Sequence, residues 1–167
     1  MELDQFLKET LLGTKKLAIL GAGAILNADD GAGVIITENL QKKYNQDNCK
    51  NLRIYTGNTA PENFSGEIKK FCPDHLIVID AADLKEEPGS IMIIDPEVID
   101  GVSFSTHMLP LKVMLQYIQK EIGCKVTILG IQVADVAYGN PVTEKINHSI
   151  KETICILENQ ISLLALN

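Results

Sequence analysis

Apolar and polar positions follow two different periods along the chain, and the switches between them mark out its elements. Residues 17–20, 52–56, 75–79, 90–94 and 125–131 are short apolar runs, most of them bounded by Gly, Asn or Asp, which predicts five strands. The run 75–79 is apolar without alternation, the pattern of a strand covered on both faces. Helical spacing governs the segments between. Leu3, Phe6, Leu7 and Leu11 predict a helix within 2–13; Val34, Ile35, Leu40 and Tyr44 predict one over 31–44. Phe64, Ile68 and Phe71 form the stripe of a helix over 60–71 that Pro73 stops. Leu111, Met114, Leu115, Ile118 and Ile122 follow Pro110, which suits a first helical turn. A long closing helix over 143–164 turns Ile146, Ile150, Ile154, Leu157, Ile161 and Leu164 inward, while 97–106 reads as irregular. Strands alternating with helices predict an α/β fold: a three-layer sandwich with an approximately five-stranded, mostly parallel sheet and helices on both faces. A chain of 167 residues without repeats is expected to form a single domain, 1–167.

The polar residues that interrupt this pattern carry the chemistry. After the first strand comes Gly21-Ala22-Gly23, then a loop holding Asp29 and Asp30, bounded by Gly31 and Gly33. One Asp here can cap the next helix; the second needs another reason. Asp80 closes the third strand, and His107 follows the fourth after the irregular segment. Parallel strands present their carboxyl ends at one edge, so Asp30 and Asp80 can meet despite fifty intervening residues. With His107 they offer two oxygens and one imidazole nitrogen. That set suits a borderline divalent ion such as nickel, zinc, iron or manganese, with positions left open. The plainer roles are a strand-end turn for Asp80 and a capping or hydrogen-bonded histidine for His107. His75, at the start of a strand, reads as structural, and His148, in a polar helix, as solvated.

Composition narrows the classes. A net charge of −7 argues against a nucleic-acid backbone as partner, and the absence of tryptophan with few aromatics argues against a base-stacking platform. No apolar run is long enough to span a membrane, and the amino terminus MELDQFLKET is acidic, so a cytoplasmic protein is expected. Cys49, Cys72, Cys124 and Cys155 form no Cys-x-x-Cys and read as reduced structural thiols. There is no His-Glu-x-x-His and no Gly-x-Ser-x-Gly. The Gly21-Ala22-Gly23 segment lacks the third glycine of a dinucleotide fingerprint, since Leu26 stands there.

The segments from Gly21 to Gly33 (GAGAILNADDGAG), Ile79-Asp80-Ala81, Thr106 to Pro110 (THMLP) and Gly130-Ile131-Gln132, in this order, resemble the signatures of the NiFe-hydrogenase maturation endopeptidases. Within that family the chain is most similar to the branch that processes the hydrogenase of the formate hydrogenlyase system. The resemblance implies an endopeptidase that cleaves a carboxy-terminal extension from the hydrogenase large-subunit precursor once nickel is inserted. It implies Asp30, Asp80 and His107 as the metal-contacting and catalytic residues. Nickel carried by the substrate is the implied ion, or another divalent cation in the isolated protein, and a monomer is expected. Asp29, or another carboxylate off the metal, is a candidate general base. Two positions depart from the family pattern: Ala24 replaces the usual Asn, and Val133 stands where Pro often follows Gly-Ile-Gln. The reading from a different class is a nickel-checking chaperone that holds the immature subunit without cutting it.

Overall fold

The computed structural model describes residues 3–44, 49–94, 103–104 and 108–164. The chain runs through α1 (Leu3–Thr10), β1 (Leu17–Ala22), a 3-10 turn (Ala28–Gly31) and α2 (Ala32–Lys43). It continues with β2 (Leu52–Asn58), a second 3-10 turn (Pro61–Phe64), α3 (Ser65–Phe71), β3 (His75–Asp83) and β4 (Ile91–Ile94). The two-residue β5 (Ser103–Phe104), α4 (Met108–Ile122), β6 (Lys125–Gln132) and α5 (Glu144–Leu164) complete it.

The main sheet has the order β2-β1-β3-β6-β4, and β5 pairs with the end of β3. β2, β1, β3 and β6 are parallel, whereas β4 runs antiparallel to β6. The mostly parallel five-stranded sheet expected from the pattern is therefore present, with β5 added at one corner. The direction of β4 corrects one step of the sequence argument: its end leads away from the edge where the parallel strands finish. At that edge β5, antiparallel to β3, pairs Ser103 with Asp83 and Phe104 with Ala82, so the chain is back beside the end of β3 before α4 begins.

Strand side chains alternate between two cores because successive residues point to opposite faces. Leu17, Ile19, Ile77, Ile79, Leu129 and Ile131 pack with Leu7 of α1, Ile36 and Leu40 of α2, and Ile146, Ile150 and Leu157 of α5. Ala18, Leu20, Leu76, Val78 and Ile128 pack with Ile68 of α3 and with Leu111, Leu115 and Ile118 of α4. Burying such side chains fully is worth about 1.5–3 kcal/mol each. The three-layer arrangement follows directly, since central strands apolar on both faces need helices on both. All four cysteines are free. Among the described residues, no helix is long and apolar enough to cross a membrane.

Candidate active site

The loop after β1 is shaped by close backbone contact. Gly23 has φ +133°, donates its N–H to Asn58 O at 2.9 Å, and a Cβ there would lie 1.9 Å from Asp30 O. Gly33, in the first turn of α2, is wedged between the carbonyls of Ile79 and Ala22, which a Cβ would approach to 2.3 and 2.5 Å. Only a residue without a side chain allows α2 to sit this low on the ends of β1 and β3. The result is that the Asp29–Asp30 turn lies over the carboxyl-terminal part of β3, where Asp80, expected to close the strand, is paired with Gly130 three residues before the strand ends at Asp83.

Asp30 is buried, and its Oδ2 accepts the Ala24 N–H at 2.9 Å. This bond comes from the main chain, so it survives the replacement of the family's Asn by Ala24. Asp80 is fully buried. Its Oδ1 accepts the N–H of Ala81 at 2.9 Å, and its Oδ2 is buried with no hydrogen-bond partner. Burial, and then the negative charge of Asp30, push its pKa up to about 8. The plainer role of a strand-end turn is thus overturned: Asp80 is a core carboxyl that holds a proton at neutral pH. A buried acid beside a second acid is stable only with a proton or a cation between them.

His107 lies outside the described residues. Among the described residues no three of His, Cys, Asp and Glu converge as a metal-binding group.

Asp29 has a different task from the one its position suggested. It is fully buried; Oδ1 accepts the Thr143 N–H at 2.7 Å, and Oδ2 accepts the N–H groups of Ala134 and Asp135, both at 2.9 Å, and the Thr143 hydroxyl at 3.1 Å. Its own N–H donates to Asp135 O at 3.0 Å. Four donors fill the acceptor capacity of a carboxylate, so Asp29 binds the 134–143 loop to the Asp30 turn and is not free to act as a base. Sequence reasoning missed this role; the doublet hinted at it, but the donors lie more than a hundred residues away. Gln132, at the end of β6, does similar work. Its Oε1 accepts the N–H groups of Leu84 and Glu86 at 2.6 and 3.2 Å, fixing the loop after β3. Val133 donates its N–H to Ala82 O at 3.2 Å, a bond that Pro could not make.

The remaining histidines are placed as expected. His75 is buried with Nε2 2.8 Å from Thr127 Oγ1, and burial followed by the nearby Lys125 charge lowers its pKa to about 4. His148 is exposed on α5.

A sheet of this order, with a buried acid pair near the carboxyl edge of its parallel strands, defines a small α/β protein whose candidate site is acidic. Comparisons with known proteins make the class specific. Residues 34–161 match the family model described as hydrogenase maturation protease. The hydrogenase 3 maturation protease of Escherichia coli is 31% identical over 141 residues, covering 84% of this chain and 87% of its own. A Methanocaldococcus jannaschii protein, provisionally named a hydrogenase maturation protease, is 32% identical over 151 residues, covering 88% of this chain and 89% of its own. Among solved structures, the NiFe hydrogenase maturation protease HycI from Thermococcus kodakarensis superposes with a TM-score of 0.83 at 26% identity. That match covers 97% of this chain and 99% of the other. The endopeptidase HycI from Escherichia coli gives a TM-score of 0.71 at 30% identity, covering 83% of this chain and 86% of the other. The chain belongs to the hydrogenase maturation protease family and is an endopeptidase.

Proposed function

We propose that this chain, as a single protease domain spanning 1–167 and acting as a cytoplasmic monomer, trims a C-terminal extension from the large-subunit precursor of a NiFe hydrogenase. In this reading Asp30, Asp80 and His107 contact the nickel that the precursor carries, and cleavage follows only when that nickel is present. The observation that supports it most is Asp80 Oδ2, buried beside Asp30 without a partner. An orphaned oxygen in an acid pair is a position for a divalent cation, and carboxylate with imidazole is a donor set that nickel accepts. A divalent cation supplied from the isolated protein's surroundings would meet the same donors.

Support for His107 comes from its described neighbours. Asp80 shares the strand parity of Leu76 and Val78, which face the α3–α4 side. α4 starts at Met108 and ends at Ile122, just before β6 begins beside His75. Its first turn therefore stands at the carboxyl edge of the sheet, on the face toward which Asp80 points.

A divalent cation supplies Lewis acidity toward a scissile carbonyl. The chain's own residues supply the rest. The Ala24 N–H fixes the Asp30 carboxylate, Asp80 gives up its proton as a cation arrives, and Asp29 keeps the surrounding loops in place. The test is incubation with a nickel-loaded large-subunit precursor, followed by mass spectrometry. Loss of a discrete C-terminal fragment, absent with the nickel-free precursor, is the expected result. A stable complex of unchanged mass would instead support the non-cleaving chaperone reading, which the protease and endopeptidase relatives do not favour.

A further inference from the structure

An open groove with a volume of about 980 Å³ lies against β2, at the end of the sheet away from β4. The chain carries 15 Lys and Arg against 22 Asp and Glu, so a patch chosen without regard to charge would be mostly acidic. Among its described lining residues this groove instead has four cations, Lys16, Lys50, Arg53 and Lys70, and one carboxylate, Glu67. Two of the cations are held in place. Lys16 Nζ donates to Phe71 O at 3.2 Å, Arg53 donates to Cys49 O at 2.6 Å, and both stand over the Phe71 ring, at 5.4 and 5.0 Å. Lys50 and Lys70 are exposed. Tyr55 and Phe64, with ring centroids 5.4 Å apart, add an apolar floor. The groove reaches Thr56, two residues before Asn58, whose carbonyl accepts the Gly23 N–H of the candidate site's loop.

We propose that this groove is an exosite for an extended acidic segment of the protein substrate, its carboxylates meeting the cations and its apolar side chains the aromatic floor. The proposal rests on the protease reading above. Positive charge lining a concave surface of an otherwise acidic protein attracts an acidic partner and steers its approach. The four β2 residues that line it, Arg53 to Thr56, span about 13 Å, enough to lie alongside an extended segment of similar length. A nucleic acid would have to bring a far denser negative charge against a chain whose net charge is −7.

The probe is a fluorescein-labelled decapeptide alternating Glu with Phe and Leu, read by fluorescence anisotropy against a copy with Gln for Glu. The acidic peptide should bind about tenfold more tightly, and that advantage should shrink as salt rises above about 0.1 M. Lys50→Glu combined with Lys70→Glu should abolish the advantage with an unchanged circular dichroism spectrum. The milder Lys50→Gln, Lys70→Gln pair should reduce it. With nickel-loaded precursor, the charge-reversed variant should raise KM severalfold while kcat is kept. Equal affinity for the two peptides, unaltered affinity in both variants, or tighter binding of oligothymidylate than of the acidic peptide would each overturn the exosite. Peptide binding needs no cleavage, so the two readings separate. A trimmed precursor without peptide binding removes only the groove, and peptide binding with an untrimmed precursor removes only the protease reading.

Discussion

A carboxyl buried with one oxygen unpartnered keeps its proton, because ionising it there has no compensation. Asp80 is in that state in the absence of a cation, with its pKa raised from 3.8 to about 8. Between those values the folded protein holds a proton that the unfolded chain has released, so stability falls as pH rises through that window and is constant above it. Asp80→Asn removes the titration while keeping the shape. In urea unfolding, the variant should gain on the wild type steadily from pH 4 to pH 8, by on the order of 5 kcal/mol at the upper limit. The same variant should lose about a hundredfold or more in precursor trimming, because the charge available to a cation is gone. A variant destabilised at every pH would show that Asp80 is held by contacts other than those described. His75 titrates in the opposite sense. Its pKa is lowered to about 4 from 6.5, so the unfolded chain binds more protons in that window and stability is lost as pH falls through it. His75→Gln keeps a partner for Thr127 without the ring's charge. Its unfolding midpoint should therefore drop less than that of the wild type between pH 7 and pH 4.5.

The contacts between elements explain the glycines of the first loop. Gly33 is placed where α2 meets β1 and β3, and both atoms in the way of a Cβ are backbone carbonyls that cannot swing aside. Gly33→Ala should cost about 2–4 kcal/mol, measured by thermal or urea unfolding. It should also impair trimming beyond that loss, since it lifts the turn carrying Asp30 off the end of β3. Gly66, in α3, has nothing within 4 Å of its would-be Cβ. Gly66→Ala should stabilise by about 0.5–1 kcal/mol through helix propensity alone. This difference also marks how far the sequence could be read. The apolar runs specify β1, β2, β3 and β6 because parallel strands covered on both faces leave a local signature. Asp30 and Asp80 were legible as strand-edge acids for the same reason. The reversal of β4 was not, because periodicity carries no direction. The burial of Asp80 was hidden because a strand-end Asp looks alike whether water or a helix turn covers it. Asp29 was open to misreading as a base because its donors come from residues 134–143, brought to it only by the fold.

At the scale of the molecule, stability and chemistry are carried by different parts. Two aliphatic cores, one on each face of the sheet, join every helix to the strands. The loops around the acid pair are tied by Asp29, Gln132 and main-chain bonds. None of these ties uses the unpartnered oxygen of Asp80. Structural metal sites normally supply every ligand and contribute folding energy outright, whereas sites that act on a substrate keep positions open. Under the proposed reading, a set limited to Asp30, Asp80 and His107 would be of the second kind, with nickel arriving on the precursor. The isolated protein should therefore be folded without metal, and its melting temperature should be the same with and without a chelator. Added nickel should bind weakly, and each binding event should release a proton near neutral pH, because Asp80 starts protonated. Calorimetry in buffers of different ionisation enthalpy measures that proton directly. Affinity should fall as pH drops, since protons then compete for the acid pair and for the imidazole. Weak nickel binding that releases a proton, by a chain whose melting point ignores chelator, is the expected outcome. A stoichiometric metal whose removal collapses the fold would turn the acid pair into part of a structural site and end its reading as a detector of the precursor's nickel.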